Sequence, residues 1–67
     1  MMGITENIKK RLYSVKEAAI YLGRTPHAIR ELQWDGVLPA VKVGRRIHFD
    51  VLDLDKFIEQ YKIRQIF

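Results

Sequence analysis

His27, Arg30, Glu31 and Trp34, spaced i, i+3, i+4 and i+7, carry the groups in this chain best suited to touching another molecule. At about 100° per residue they fall along one stripe of a helix. Imidazole, guanidinium and carboxylate can hydrogen-bond the edges of nucleic-acid bases, a guanidinium can pair with phosphate, and an indole can stack. Polar stripes are ordinary on surface helices, but they seldom combine His, Arg and an outward Trp. Ile29 and Leu32 point the other way, towards a core.

The element that must hold this stripe is bounded by local signals. Thr25 is a good N-cap, because its hydroxyl can accept from a free amide of the first turn. Pro26 follows at the first helical position, where no amide is needed. Gly36 supplies the left-handed residue at which helices commonly stop. Upstream, Ser14 and Glu17 have the spacing of a capping box. Val15, Ala18, Ala19 and Leu22 then give a narrow apolar face whose small residues permit close packing. Gly23 ends that helix, so only Gly23, Arg24 and Thr25 stand between the two. Two helices joined by so short a turn are expected to form a helix-turn-helix, with the second helix entering the major groove of DNA.

Downstream, Pro39 rules out continued helix. Residues 40–43 and 47–49 alternate like paired strands around Gly44, Arg45 and Arg46. A three-residue loop would pair Val43 with Ile47 and Val41 with Phe49, leaving Lys42 and His48 on the outer face. A two-residue loop would set Lys42 opposite Ile47 and mix the faces. Since a one-residue slip swaps every side chain, the three-residue register is expected. Arg45 and Arg46 then sit at the tip of a basic wing that can grip phosphates or enter a minor groove.

Asp50 is expected to cap a third helix, with Asp53 as a short version of the box and Phe49 and Leu54 at the staple positions. Leu54, Phe57, Ile58 and Tyr61 form its apolar stripe, making it the lid of the core. Beyond it, Ile63, Ile66 and Phe67 either pack back or meet a partner, and packing is favoured.

The 67 residues make one domain with one small core, of marginal stability. No cysteine is present for disulfides or a thiolate zinc site. The first ten residues lack an apolar run fit for a signal peptide or a membrane span. The expected setting is cytoplasmic, on a bacterial nucleoid or phage-encoded. The net charge of +4 and pI near 9.7 favour an anionic partner. From Lys9 to Arg46 nine basic residues face three acidic ones, whereas from Ile47 onward three face four. The excess therefore accompanies the proposed recognition helix. Lys9, Lys10 and Arg11 suggest a basic arm.

Enzymatic readings find little support. His27 and His48 lack a third ligand at metal-site spacing. Ser14, the only serine, is explained as a cap. Asp50, Asp53 and Asp55 lack the glycine and distal glutamate of a calcium loop, and no Gly-rich phosphate loop occurs. No enzyme activity, cofactor or metal is expected.

Taken in order, Y-S-V-K-E-A-A-I-Y-L-G-R-T-P-H-A-I-R (Tyr13–Arg30), D-G-V-L-P-A-V-K-V-G-R-R-I-H-F (Asp35–Phe49) and D-L-D-K-F-I (Asp53–Ile58) resemble the excisionase-type winged helix-turn-helix family. That family is related to the DNA-binding heads of MerR-type regulators. The resemblance runs from about Leu12 to Tyr61 and rests on E-A-A…L-G, T-P-x-x-I, G-x-L-P-A and V-G-R-R together. It implies three helices with a small wing sheet, the second helix in the major groove, and the Gly-Arg-Arg hairpin on backbone or minor groove. Members include excisionases that bend attachment-site DNA and recruit an integrase, and small phage or plasmid transcription regulators. Two residues depart from the pattern. Gln33 stands where an aliphatic residue is common, suggesting a looser core edge, and Trp34 where a basic one is common.

The expectation is a mainly α fold with a small β-hairpin wing, three helices and a two- or three-stranded sheet. It should occupy residues 12–62, after a flexible arm (1–11) and before a short C-terminal end (63–67). His27, Arg30, Glu31 and Trp34 are the candidates for base readout. Arg24, Lys42, Arg45 and Arg46 are the candidates for backbone or minor-groove contact. The expected partner is double-stranded DNA, with an integrase or recombinase and cooperative self-association as further partners, and no membrane. The alternative is a protein-interaction adapter that uses Trp34 and the 63–67 end to hold an integrase or polymerase subunit.

Overall fold

The computed structural model describes residues 9–64. In chain order its elements are β1 (Leu12–Tyr13), α1 (Val15–Leu22), α2 (Pro26–Trp34), β2 (Val41–Val43), β3 (Arg46–Asp50) and α3 (Val51–Gln60). Three helices and an antiparallel sheet of order β1-β3-β2 match the expected mainly α fold with a small wing.

Each helix starts where its cap dictates. The Glu17 amide donates to Ser14 Oγ (3.1 Å) and the Ser14 amide donates back to the Glu17 carboxylate (2.9 Å), closing the box. The Ala28 amide donates to Thr25 Oγ1 (3.1 Å), with Pro26 in the first turn of α2. The Leu52 amide donates to the Asp50 carboxylate (2.9 Å). Among the described residues Asp53 returns no bond to the Asp50 amide. Aspartate is one methylene shorter than the glutamate that completes a box, so the expected reciprocal contact falls short.

Both helix ends before the wing use glycine. Gly23 lies at φ 69°, and the amides of Gly23 and Arg24 donate to the carbonyls of Ile20 and Ala19. Gly36 (φ 75°) repeats the arrangement, with Gly36 and Val37 donating to Gln33 and Leu32. This Schellman geometry satisfies carbonyls the helix cannot and turns the chain sharply. It sets α2 against α1 and then returns the chain towards the wing.

The core is Ala18, Ala19, Ile29, Leu38, Phe49 and Leu54, with Tyr13, Val15, Leu22, Leu32, Ile47 and Phe57 packed against it. Ala18 and Ala19 let α2 approach closely, and Ile29 fills the space they leave. Leu38, in the turn after α2, is also buried and was not among the expected core residues.

The wing corrects the expected register. Val41 pairs with His48, Lys42 with Ile47 and Val43 with Arg46, so the loop has two residues, Gly44 and Arg45. Gly44 has φ 61° and among the described residues no non-glycine residue has positive φ, the pattern of a hairpin turn with glycine in its first central position. The expected register assumed that both strands bury one face. Only β3 does: Phe49 is fully buried and Ile47 half-buried, whereas Val43 on the edge strand is 55% exposed. With no buried face on β2, the turn decides the pairing. Lys42 consequently shares the face of Ile47 while staying exposed, and His48 is half-buried rather than on an open outer face.

Helix α3 lies over the core by Leu54 and Phe57 alone. Ile58 is 36% and Tyr61 57% exposed, against the expected four-residue stripe, because the last turn overhangs a core too small to cover it. Tyr61 packs on Phe57 instead, at 4.8 Å between rings. The helix stops at Gln60 and Ile63 is 85% exposed, so this part of the C-terminal end does not pack back as expected. Ile66 and Phe67 lie outside the described residues.

Two ion pairs tie the start of the domain down. Arg11 forks onto Asp50 (2.9 and 3.1 Å), and its carbonyl accepts from the Val51 amide. Lys10 pairs with Glu17. The Arg11 guanidinium, and then the Leu52 amide, hold the Asp50 carboxyl below its ordinary value; Lys10, and then the Ser14 amide, do the same for Glu17. Groups that titrate lower in the folded state contribute stability above the ordinary carboxylate range and lose it as pH falls through their folded values. Thermal melts are therefore expected to hold steady from neutral pH to about 5 and to fall below about 4. The Glu17→Gln/Asp50→Asn double variant should show a shallower fall. An acid limb as steep as that of wild type would remove these two carboxylates as its cause.

Candidate nucleic-acid interface

The turn between α1 and α2 and the return through Leu38 bring α2 and the wing to the two sides of an open cleft of about 400 Å³. Arg30 and Gln33 face it from α2, Lys16 from the first turn of α1, and Arg45 and Arg46 from the hairpin. Ile47 and Val15 form part of its lining, and among the described residues no carboxylate does. Four cationic side chains from three elements thus converge without a neutralising acid.

Of the acids on α2 and at its end, Glu31 lies 3.4 Å from His27 Nε2, one turn away on the same stripe, and Asp35 is exposed and does not line the cleft. Among the described residues Arg30 has no acidic partner. Asp55 accepts from the Tyr21 hydroxyl and Glu59 from Lys62, both on the α3 side. A concave surface of fixed cations with open access suits a polyanion rather than a small neutral ligand.

The expected site residues fall into three groups. Arg30, Arg45 and Arg46 are brought together at the cleft. His27, Glu31 and Trp34 run along the face of α2 opposite Ile29, all exposed, with Trp34 65% exposed and edge-on to His27 at 6.3 Å. Arg24 lies in the turn and Lys42 on the edge strand; both are exposed and neither lines the cleft.

Lys16, Gln33 and His48 also line the cleft, beyond the expected site residues. Gln33 is half-buried one turn after Arg30, on the wing side of α2. A stripe drawn from His27 misses it, although the i, i+3 spacing from Arg30 could have found it. Lys16 reaches the cleft only because α1 starts beside the hairpin, which no local spacing reveals. His48 Nδ1 is enclosed with no hydrogen-bond partner among the described residues.

A family model described as a helix-turn-helix domain matches residues 12–62. The chain belongs to that family. No curated protein and no solved structure matches it. In this helix-turn-helix domain α1 and α2 are the paired helices and the β2–β3 hairpin is the wing, and DNA is the partner such a domain takes. Among the described residues no helix is long and apolar enough to cross a membrane.

Proposed function

We propose that this protein is a sequence-specific double-stranded DNA-binding protein that works as an excisionase or a small transcription regulator of phage or mobile-element type. The observation that carries the proposal is the acid-free cleft between α2 and the wing, lined by Lys16, Arg30, Arg45 and Arg46. Helix α2 enters the major groove, where Arg30, His27, Glu31 and Trp34 meet base edges. Arg45 and Arg46 hold the backbone or the adjacent minor groove, with Arg24 and Lys42 on flanking phosphates. A single module of this size reads a short site, so cooperative neighbours on repeated or paired sites extend the specificity. The exposure of Trp34 and Ile63 favours a second reading, an adapter that holds an integrase or polymerase subunit.

Selection of bound duplexes from a random pool tests the proposal: a defined sequence preference is expected, and none would refute it. Arg30 supplies the sharpest variant. Bidentate arginine to guanine is the commonest specific major-groove contact, and losing one removes about 1–3 kcal/mol of discrimination. Arg30→Ala should relax the preference at one position and leave non-cognate binding nearly unchanged. A uniform loss would mean phosphate contact, and an intact preference at every position would exclude Arg30 from readout.

A further inference from the structure

We infer that Gln33 is a second base-reading residue, and that the target holds an A·T pair next to the G·C pair read by Arg30. The inference rests on the DNA-binding reading above and adds the step that this chain selects. Gln33 lies three residues after Arg30 and lines the same cleft, facing the wing. Among the described residues its side-chain amide has no hydrogen-bond partner. The backbone beneath it is fixed, because the Gln33 carbonyl accepts from the Gly36 amide (3.0 Å) at the glycine-closed end of α2.

The chemistry of the two side chains differs in a way the major groove distinguishes. Arginine offers two donors, which match the paired acceptors of guanine. Glutamine offers one donor and one acceptor, which match N7 and the N6 amino group of adenine. Three helical residues rise roughly 4.5 Å along the axis, close to one base-pair step of about 3.4 Å. Two side chains so spaced reach neighbouring pairs rather than the same one. Lys16, Arg45 and Arg46 around them fix the register through phosphates, which carry no sequence information themselves. Half-burial of Gln33 limits its rotamers, so less freedom is lost when it binds.

The test is selection of duplexes from a random pool by wild type, Arg30→Ala, Gln33→Ala and Gln33→Glu. Binding of each to the selected site and to its single-base variants is then measured at one salt concentration. Gln33→Ala should lower the preference for adenine at one position by roughly 5- to 100-fold, next to the position relaxed by Arg30→Ala. Gln33→Glu keeps the size of the side chain but only accepts, so at that position it should turn the preference from adenine towards cytosine. Because Gln33→Glu is nearly isosteric, it stands as the test even where Gln33→Ala loosens the fold. Unchanged preferences in both variants, a loss equal for all sequences, or an effect away from the Arg30 position would each overturn the inference while the DNA-binding reading stands. Wild type that selects no sequence would overturn both.

Discussion

Replacing Phe49 with alanine is expected to unfold the domain or bring it to the edge of unfolding at room temperature. Among the described residues Phe49 is the largest fully buried side chain, set in the central strand and paired across the ladder with Tyr13. It shares the core with Ala18 and Ala19 of α1, Ile29 of α2, Leu38 of the connecting turn and Leu54 of α3. Truncating such a residue costs ~3–5 kcal/mol, from lost burial and from the cavity left behind. A chain of this length has a total stability of roughly 3–10 kcal/mol. The loss is therefore comparable with the whole. Denaturant unfolding followed by circular dichroism should show a much lower midpoint or no native baseline for Phe49→Ala. A midpoint near that of wild type would mean that Phe49 does not organise the core. The same loss should weaken any ligand binding in proportion to the unfolded fraction, so binding comparisons belong to surface variants instead.

The Arg45→Ala/Arg46→Ala double variant has the larger expected effect on binding. Both side chains are exposed, one in the two-residue loop and one at the first position of β3, so the fold should be unaffected. Each phosphate contact contributes ~0.9 to the slope of log K against log salt concentration. Losing two should flatten that slope by about 1.8, for cognate and non-cognate duplexes alike. Measured by fluorescence anisotropy across a salt series, an unchanged slope would place the wing outside the interface. A changed base preference with an unchanged slope would instead mean that the wing reads sequence.

Much of the fold was legible because its signals are local. Ser14 with Glu17, Thr25 with Pro26, and Asp50 each mark a helix start within three residues, and the structure uses all three. Ile29 was legible from its place opposite the polar stripe, and Phe49 from its place before the third helix. What failed depends on how far the core reaches. Two alternating strands imply a register in which both bury a face, but β2 projects beyond the core and Gly44 decides the pairing. Ile58 and Tyr61 follow helical periodicity faithfully yet run off the end of a small core. The candidate site shows the same division. The outward residues of α2, and Gln33 three places after Arg30, follow from spacing, whereas Lys16 joins Arg30 only through the packing of α1, α2 and the wing.

Helix α2, the wing and the start of α1 are proposed to form one DNA-binding surface. Amide chemical shifts of the labelled protein, followed during titration with the selected duplex, test it most directly. The largest changes are expected at residues 27–34 of α2, at Gly44, Arg45 and Arg46, and at Val15 and Lys16, with small changes along the outer face of α3. Changes concentrated on α3 and the residues after it, around Leu52, Tyr61 and Ile63, with α2 and the hairpin unmoved, would contradict this.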